Sequence, residues 1–260
     1  MIKSRTWLVL IALSFTWCAC SNSLESSPDM GTNTTDLPPA PRTDLQDSPP
    51  TDTGNTDLTP QVPLLTHPII SLEGTIEEGQ SPQGKTTYSL GDLACDIPCA
   101  YPFGADLFGS IPNIGFEYRV KPQSPVRAAV SAKVVFKKTN MPSSNDMEIH
   151  MKTSDDSPYV LIYDHIGAPT VDIGDTVVAG QMIGKAGNWD ASHGTIELQI
   201  NYEDPDSSDM WAVCPVELGS DEFNARHELW LEVHNLSAPS SSHPGFHILD
   251  GLCQVDKRFP

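Results

Sequence analysis

The sequence has few basic residues, and it has no apolar run long enough to cross a lipid bilayer. Lys and Arg together number 15 against 34 Asp and Glu, so the formal charge is −19 at pH 7. A chain with this excess of negative charge repels phosphate, and we therefore expect no nucleic acid partner. The apolar run at 7–15 is far shorter than the roughly 20 residues of a transmembrane helix, so it does not predict a membrane span.

The first 20 residues have the layout of an export signal. Lys3 and Arg5 precede the apolar run, and a short segment that ends in Ala19-Cys20 follows it. This arrangement resembles a bacterial lipoprotein signal, in which Cys20 receives the lipid. The resemblance implies that residues 1–20 are a signal peptide and that the mature protein contacts the membrane through its lipid anchor. Ordinary secretory cleavage near Ala19 and an uncleaved anchor are the alternatives.

Residues 21–66 are predicted to form a disordered tether. The segment is rich in Ser, Thr, Pro and Asp and contains no aromatic residue, so it has too little apolar surface to offset the entropy lost on folding. Its prolines favour the extended polyproline II form, which gives the tether reach. Ser21-Asn22 lacks the Asp that retains enterobacterial lipoproteins in the inner membrane. We therefore expect a protein of the cell envelope, anchored in the outer membrane, with its domain in the periplasm or on the surface.

Four cysteines remain once Cys18 is lost with the signal and Cys20 takes the lipid. An even number in an exported chain predicts two disulfides, for which three connectivities are possible. Two of the four are separated by only three residues, which is close enough for a local bridge around a turn. The other two would then tie the C-terminal tail to the domain, so we interpret all four as structural. The four residues are Cys95, Cys99, Cys214 and Cys253.

The rest of the chain, residues 67–260, is predicted to be a mainly β domain whose antiparallel sheet covers about 110–215. Polar and apolar residues alternate over 146–152 and again over 195–201, which is typical of strands with one buried face. Residues 159–163 are apolar on both faces, and this pattern predicts a central strand.

A short C-terminal helix is predicted after the sheet. Ser220 is a suitable N-cap residue, because its hydroxyl can accept a hydrogen bond from a free backbone N–H of the first turn. Asp221 and Glu222 place negative charge at the positive end of the helix, which we expect to run through Val233. The fold class is therefore mainly β, with one helix near the C-terminus.

The stretch 173–184 is rich in signals for tight turns. Gly174-Asp175 and Gly180-Gln181 separate two short apolar runs, and glycine suits such turns because a Cβ is costly at positive φ. The pattern predicts short antiparallel strands joined by hairpins. The string itself resembles the Gly-Asp-x-Val-x-x-Gly-Gln-x-Ile-Gly signature of LytM/lysostaphin-type zinc endopeptidases, which cut peptidoglycan cross-links. The same string occurs in other proteins of the duplicated hybrid motif fold, including biotinyl and lipoyl carriers, and 124–136 resembles a strand pair of the peptidase family.

The positions that the peptidase family uses for zinc and catalysis are mostly substituted in this chain. The family holds zinc through a His-x-Gly-x-Asp segment and the second His of a His-x-His strand. The resemblance places these three ligands on Asn113, Glu117 and Glu197. The first His of His-x-His assists the attacking water, and its position holds Thr195. The His of a Tyr-x-His-Leu segment has the same task and is kept as His165.

The substituted positions offer oxygen where a zinc site needs nitrogen. Asn113, Glu117 and Glu197 form a hard ligand set that suits Ca²⁺ or Mg²⁺ better than Zn²⁺. We therefore expect an empty polar pocket and no zinc cofactor, with a site for another metal as the alternative. His165 alone is more often a hydrogen-bonded structural residue than a base. His193 is a candidate substitute ligand, although its Ser-His-Gly turn favours a structural role.

The resemblance implies a role in the cell wall without catalysis. Degenerate domains of this family bind cell-wall glycan or activate amidases, so the expected partner is peptidoglycan or a cell-wall hydrolase. One alternative is an active zinc endopeptidase of peptidoglycan with atypical ligands. Another is a surface or adhesion lipoprotein that reuses the fold and has no affinity for peptidoglycan.

The lipid anchor is tested by changing the predicted acylated residue. Because Cys20 follows Ala19 directly after the charged and apolar leader, Cys20→Ser removes the thiol that would carry the lipid. We expect the variant to move from the membrane fraction to the soluble fraction, measured by immunoblotting after ultracentrifugation. Cys18→Ser, a change two residues upstream, is the matched control and is expected to stay with the membranes. Unchanged membrane association of Cys20→Ser would contradict the lipoprotein interpretation.

Overall fold

The main sheet is built around a long strand of ten residues, Gly194–Glu203. The structure is a computed structural model, which describes residues 62–81, 84–93, 95–105, 112–140, 146–240, 248–254 and 258–259. The predicted signal peptide, the acylated Cys20 and nearly all of the predicted tether lie outside the described residues. Leu65, in the last part of the predicted tether, is fully buried and pairs by backbone hydrogen bonds with Leu218 and Ser220. The domain therefore includes residues slightly before position 67.

The described strands and helices are numbered in chain order. The strands are β1 Glu77–Gln80, β2 Thr86–Ser89, β3 Ala100–Tyr101, β4 Gly115–Val120, β5 Pro125–Arg127, β6 Ala132–Thr139, β7 Met147–Lys152, β8 Tyr159–Gly167, β9 Thr176–Val177, β10 Met182–Asn188, β11 Gly194–Glu203, β12 Met210–Val213 and β13 Arg258–Phe259. The α-helix is α1 Asp221–Ser237, and short 3-10 turns cover Pro215–Glu217 and Ala238–Ser240.

The strand pairings confirm the predicted fold class. All pairs between the strands named above are antiparallel. Strand β11 pairs with β4 along one edge and with β8 along the other. The sheet continues from β8 through β7 and β6 to β9, while β12 and β13 extend it beyond β11, and β1 and β2 form a separate hairpin. The described part of the chain is thus mainly β with one α-helix, as the sequence predicted.

Side-chain alternation places the strands as expected. Ile196, Leu198 and Ile200 on β11 are fully buried, and β8 is buried on both faces between β7 and β11. Glu148 on β7 differs from the simple alternation, because it lies on the polar face and is still mostly covered. Its carboxylate binds Lys138 and His150, and these contacts compensate for the loss of water.

The glycine-rich stretch adopts the predicted turns but not the predicted hairpins. Gly174 and Gly180 have φ angles of +95° and +80°, the left-handed region in which a Cβ is costly. A Cβ on Gly180 would also lie 2.8 Å from the ring of His67. However, β9 pairs with β6, and β10 pairs with β5, β8 and β11, so the two turns send the chain to different neighbours. In the same way, β5 and β6 form as strands within 124–136 but do not pair with each other.

Helix α1 begins where the sequence predicted and runs further. The Ser220 hydroxyl accepts a hydrogen bond from the backbone N–H of Phe223 at 3.2 Å, which confirms the N-cap. The helix continues four residues beyond Val233 to Ser237. His234 and Ser237 in this added turn are buried, so packing against the domain extends the helix beyond its local signals.

The helix packs on one face of β4 through an aromatic cluster. The Trp230 ring lies 4.7 Å from that of Tyr118 and 5.2 Å from that of Phe116, measured between ring centroids. The indole N–H of Trp230 donates to the Cys99 carbonyl at 3.1 Å, and His227 Nε2 lies 2.8 Å from the Tyr118 hydroxyl. Since side chains alternate along a strand, the residues between these aromatics point to the opposite face of β4.

Both predicted disulfides are present. Cys95 is bonded to Cys99, and Cys214 at the end of β12 is bonded to Cys253 in the C-terminal tail. Of the three connectivities that the sequence allows, the structure has the local one. In the described part of the chain, no helix is both long enough and apolar enough to cross a membrane.

The buried imidazole of His227 predicts a loss of stability in acid. Burial lowers the pKa of His227 to about 4, although its hydrogen bond to the Phe223 carbonyl opposes the shift. The unfolded chain, with a pKa near 6.5, therefore binds a proton before the folded chain does, and stability falls as the pH drops from about 6.5 to 4. This residue's share of the loss is on the order of 3 kcal/mol.

We expect His227→Gln, which keeps a polar side chain but does not titrate, to show a smaller loss of unfolding free energy between pH 7 and 4. Urea unfolding followed by circular dichroism at each pH measures the difference. His67→Gln, a change at an exposed histidine, is the control and should follow the wild type. Parallel curves for the wild type and His227→Gln would refute this assignment.

Candidate functional site

The sequence-predicted site residues come together on three neighbouring strands. In the register of the sheet, Glu117 on β4 lies directly opposite Glu197 on β11. Glu197 in turn lies opposite Asp164 on β8, the residue before His165. Thr195, two residues before Glu197, lies opposite Arg119. The resemblance therefore identified positions that are adjacent in space, on the face of β4 that is turned away from helix α1.

Arg119 is the centre of this arrangement, and sequence reasoning missed it. Its guanidinium Nη1 donates to the Glu117 carboxylate and to the Thr195 hydroxyl. The Thr195 hydroxyl also donates to the same Glu117 oxygen at 3.3 Å. Arg119 is only 3% exposed, and Glu117 and Thr195 are buried as well. The alternation of β4 was the available signal, because it places Arg119 on the same face as Glu117, two residues away.

Two aromatic rings cover the guanidinium of Arg119. Its central carbon lies 3.9 Å from the centroid of the Trp189 ring and 5.3 Å from that of Tyr101. Both distances are within the range of a cation–π contact, which strengthens when the cation is removed from water. Trp189 is itself 51% exposed, so the indole lies between the guanidinium and solvent.

The loop that carries Trp189 is held by carboxylates. The Asp190 carboxylate accepts hydrogen bonds from the backbone N–H groups of Ser192 and His193, at 2.6 and 2.8 Å. His193 is buried, with Nδ1 3.2 Å from Asp190 and Nε2 2.7 Å from Asp96. Both ring nitrogens of His193 therefore have carboxylate partners. The structural role agrees with the predicted preference, and the alternative role as a substitute ligand receives no support.

Asn113, at the position of the family's first zinc ligand, stabilises the backbone. Its side-chain amide donates to the carbonyls of Tyr101 at 2.6 Å and Gly115 at 2.9 Å. Asn113 is also buried. These bonds connect the residues just before β4 with strand β3. The residue thus acts as a link between two segments of chain.

His165 lies at the other side of the site with two aspartates. Its backbone φ is +63°, its Nδ1 lies 3.0 Å from the Asp146 carboxylate, and its backbone N–H donates to Asp164 at 2.7 Å. Burial lowers the pKa of His165, but the carboxylates of Asp164, Asp146 and Glu117 outweigh this effect, so the pKa is raised. Asn140 also donates to the Asp164 carboxylate. The ligand atoms of Asp146, Asp164 and His165 lie within 4.8 Å of one another, but these contacts already engage them.

Glu197 is the position at which negative charge is concentrated. Burial raises the pKa of Glu197 to about 7, and the carboxylates of Glu117, Asp164 and Glu148 add to the shift, while His165 opposes it. A carboxyl group with this pKa carries a proton about half the time at neutral pH. Burial and the surrounding carboxylates therefore disfavour the charged form of Glu197.

The residues at the family's ligand positions do not fit a zinc ion. A catalytic zinc site needs about three protein ligands and an open position for water. Here the Asn113 amide binds two carbonyls, the Glu117 carboxylate binds a guanidinium, and Glu197 offers a carboxylate where the family has an imidazole. Thr195, in place of the shuttling histidine, is bonded to the same guanidinium. The cation bound at these positions is the guanidinium of Arg119, which belongs to the protein itself.

One family model matches part of the chain. The model of Peptidase family M23 matches residues 112–207, a little over a third of the chain and the part that contains the site. No curated protein matches the chain.

Solved structures that resemble the chain include lysostaphin by NMR, at 20% identity and a TM-score of 0.37 over 46% of this chain and 51% of that one. The lysostaphin catalytic domain from Staphylococcus simulans is 23% identical, with a TM-score of 0.36 over 45% of this chain and 87% of that one. LytU is 20% identical, with a TM-score of 0.35 over 43% of this chain and 78% of that one. The chain thus spans about half the length of the lysostaphin structure. The β domain of this protein carries the sequence pattern of the M23 peptidases across residues 112–207, which confirms the predicted resemblance to LytM/lysostaphin-type enzymes.

Proposed function

We propose that this protein is a non-catalytic M23-type module of the cell envelope, which binds peptidoglycan or controls a cell-wall hydrolase. The observation that supports the proposal is the hydrogen bonding of Arg119 to Glu117 and Thr195, the counterparts of a zinc ligand and of a catalytic histidine. Glu117 and Thr195 lie close together, whereas their side chains do not provide the ligand and the imidazole that the family has at these positions. A surface that retains the family's fold and loses its reaction is suited to recognition.

Two separate requirements for hydrolysis are unmet at this site. A catalytic zinc lowers the pKa of its bound water to about 7 and so supplies hydroxide at neutral pH. Without suitable ligands that water is not activated. In addition, Thr195 cannot replace an imidazole, whose pKa near 6.5 allows it to accept and return a proton near neutrality. Restoring one requirement without the other would not restore turnover.

The location follows from the sequence and is part of the proposal. A lipid on Cys20 would hold the protein to the outer membrane, and residues 21–66 would let the β domain reach beyond the bilayer surface. A domain tethered in this way meets peptidoglycan at a distance set by the length of the tether. The domain can then bind the wall, or an enzyme acting on it, while it stays attached to the membrane.

The first expected outcome is the absence of peptidase activity. The protein, purified in detergent, should leave pentaglycine and peptidoglycan stem-peptide substrates intact, with or without added Zn²⁺, because the zinc ligands are substituted and Thr195 replaces one of the two histidines that assist the attacking water. Mass spectrometry of the products after overnight incubation measures this, with an active M23 peptidase as the positive control. Zinc-dependent cleavage that a chelator abolishes would favour the active-enzyme alternative and overturn the proposal.

The second expected outcome is affinity for the cell wall. The protein should sediment with purified, insoluble peptidoglycan, and Trp189→Ser should weaken this binding by about tenfold, the effect typical of an aromatic contact residue. Trp189 is the candidate contact because its indole is half exposed above the site. Met210→Ser, at an equally exposed apolar residue on β12, is the matched control and should bind like the wild type.

Failure to sediment, together with failure to alter the rate of a cell-wall hydrolase added to the same sample, would leave the adhesion alternative and reject the proposal. Sedimentation that Trp189→Ser does not weaken would place the contact surface elsewhere on the domain.

A further inference from the structure

We infer that the guanidinium of Arg119 is a resident cation that takes the electrostatic place of a metal ion in this site, so that the domain folds without metal and admits none while Arg119 is present. The inference deepens the proposed function, since it concerns the same site and rests on the same loss of zinc chemistry.

The burial of Arg119 requires a partner of opposite charge. A charged group removed from water is stable only when it is paired and hydrogen-bonded. Arg119 is 3% exposed and meets this requirement through Glu117, with Thr195 as a second acceptor. The protein thus supplies both charges of the pair itself, and the negative one, Glu117, stands at the position of a zinc ligand in the family.

The aromatic cover keeps the guanidinium in this position. Trp189 stacks on it at 3.9 Å, and the loop that carries Trp189 is held through Asp190 and the contact of His193 with Asp96. Asp96 lies between Cys95 and Cys99, so the disulfide-closed loop lies at the end of this chain of contacts. The guanidinium is therefore covered by Trp189 on the side that faces solvent, and it is paired with Glu117 on the side that faces the sheet.

A metal ion and this guanidinium would compete for the same carboxylate. Two positive charges a few ångströms apart repel strongly where water is excluded, so Glu117 serves one of them at a time. Removing Arg119 would take the guanidinium partner away from Glu117, which lies directly opposite Glu197, about 5 Å away between strands. Two carboxylates at this spacing are a hard oxygen set, which suits Mn²⁺.

The test compares the wild type with Arg119→Met and Arg119→Lys, using the full chain in detergent and Mn²⁺ alone as the probe. The wild type should show no change in melting temperature with Mn²⁺ or with a chelator. Arg119→Met, which keeps the length and loses the charge, should melt about 10 °C lower. Millimolar Mn²⁺ should recover about half of that loss, and the electron paramagnetic resonance signal of free Mn²⁺ should fall by one ion per chain. Arg119→Lys keeps the charge and should bind no Mn²⁺.

The double variant Glu117→Gln/Arg119→Met separates this site from the nearby group of Asp146, Asp164 and His165. It should lose the Mn²⁺ rescue, whereas a metal held by that other group would be retained. The inference is wrong if Arg119→Met gains no Mn²⁺ affinity, or if it fails to fold with and without Mn²⁺, since a metal would then not replace the guanidinium. Tight binding of Mn²⁺ by the wild type would overturn it as well. These outcomes are independent of peptidoglycan binding, which tests the proposed function alone.

Discussion

A buried positive charge sets the conditions for the whole site. Arg119 is nearly inaccessible to water, and the cost of placing a guanidinium there is large unless anions and dipoles replace its hydration. Glu117 provides the charge, Thr195 provides a second acceptor, and the rings of Trp189 and Tyr101 cover the faces. Changing any one of these groups leaves the guanidinium less well compensated. The identities of Glu117 and Thr195 therefore depend on Arg119 and on each other.

Strand β4 connects this requirement with the stability of the domain. On one face, Phe116 and Tyr118 pack against Trp230 of helix α1. On the other face, Glu117 and Arg119 form the ion pair. Because the two sets alternate along six residues, a shift of the strand by one position would put charge under the helix and aromatic rings into the site. Packing under the helix thus fixes the register on which the position of the guanidinium depends.

Sequence reasoning predicted the features that depend only on a short segment of the chain. The N-cap at Ser220, the left-handed glycines at 174 and 180, and the buried alternation of β11 follow from backbone geometry or from periodicity, which a short segment contains in full. The partners of β9 and β10 were missed because strand pairing depends on distant segments, and a tight turn does not specify which strand comes next. The resemblance named Glu117, Thr195 and Glu197, which lie on the adjacent strands β4 and β11, and Asn113, just before β4, which bonds to backbone carbonyls in β3 and β4. Arg119 was missed because no motif of the family includes it, and the contact with Trp189 was missed because it joins a strand to a loop seventy residues later.

The row of acidic residues across β4, β11 and β8 has several sources of charge compensation within the protein. Glu117, Glu197 and Asp164 lie directly opposite one another on adjacent strands, an arrangement that is unfavourable when all three are ionised. The negative charge of each carboxylate is offset in a different way. Glu117 has the guanidinium, Asp164 accepts hydrogen bonds from Asn140 and from the backbone of His165, and the pKa of Glu197, raised to about 7, shifts that carboxyl toward its neutral form. In a metal site a single ion would balance several carboxylates at once, and here the same balance is divided among a cation, hydrogen bonds and a proton. Each carboxylate of the row thus has a source of compensation within the protein itself.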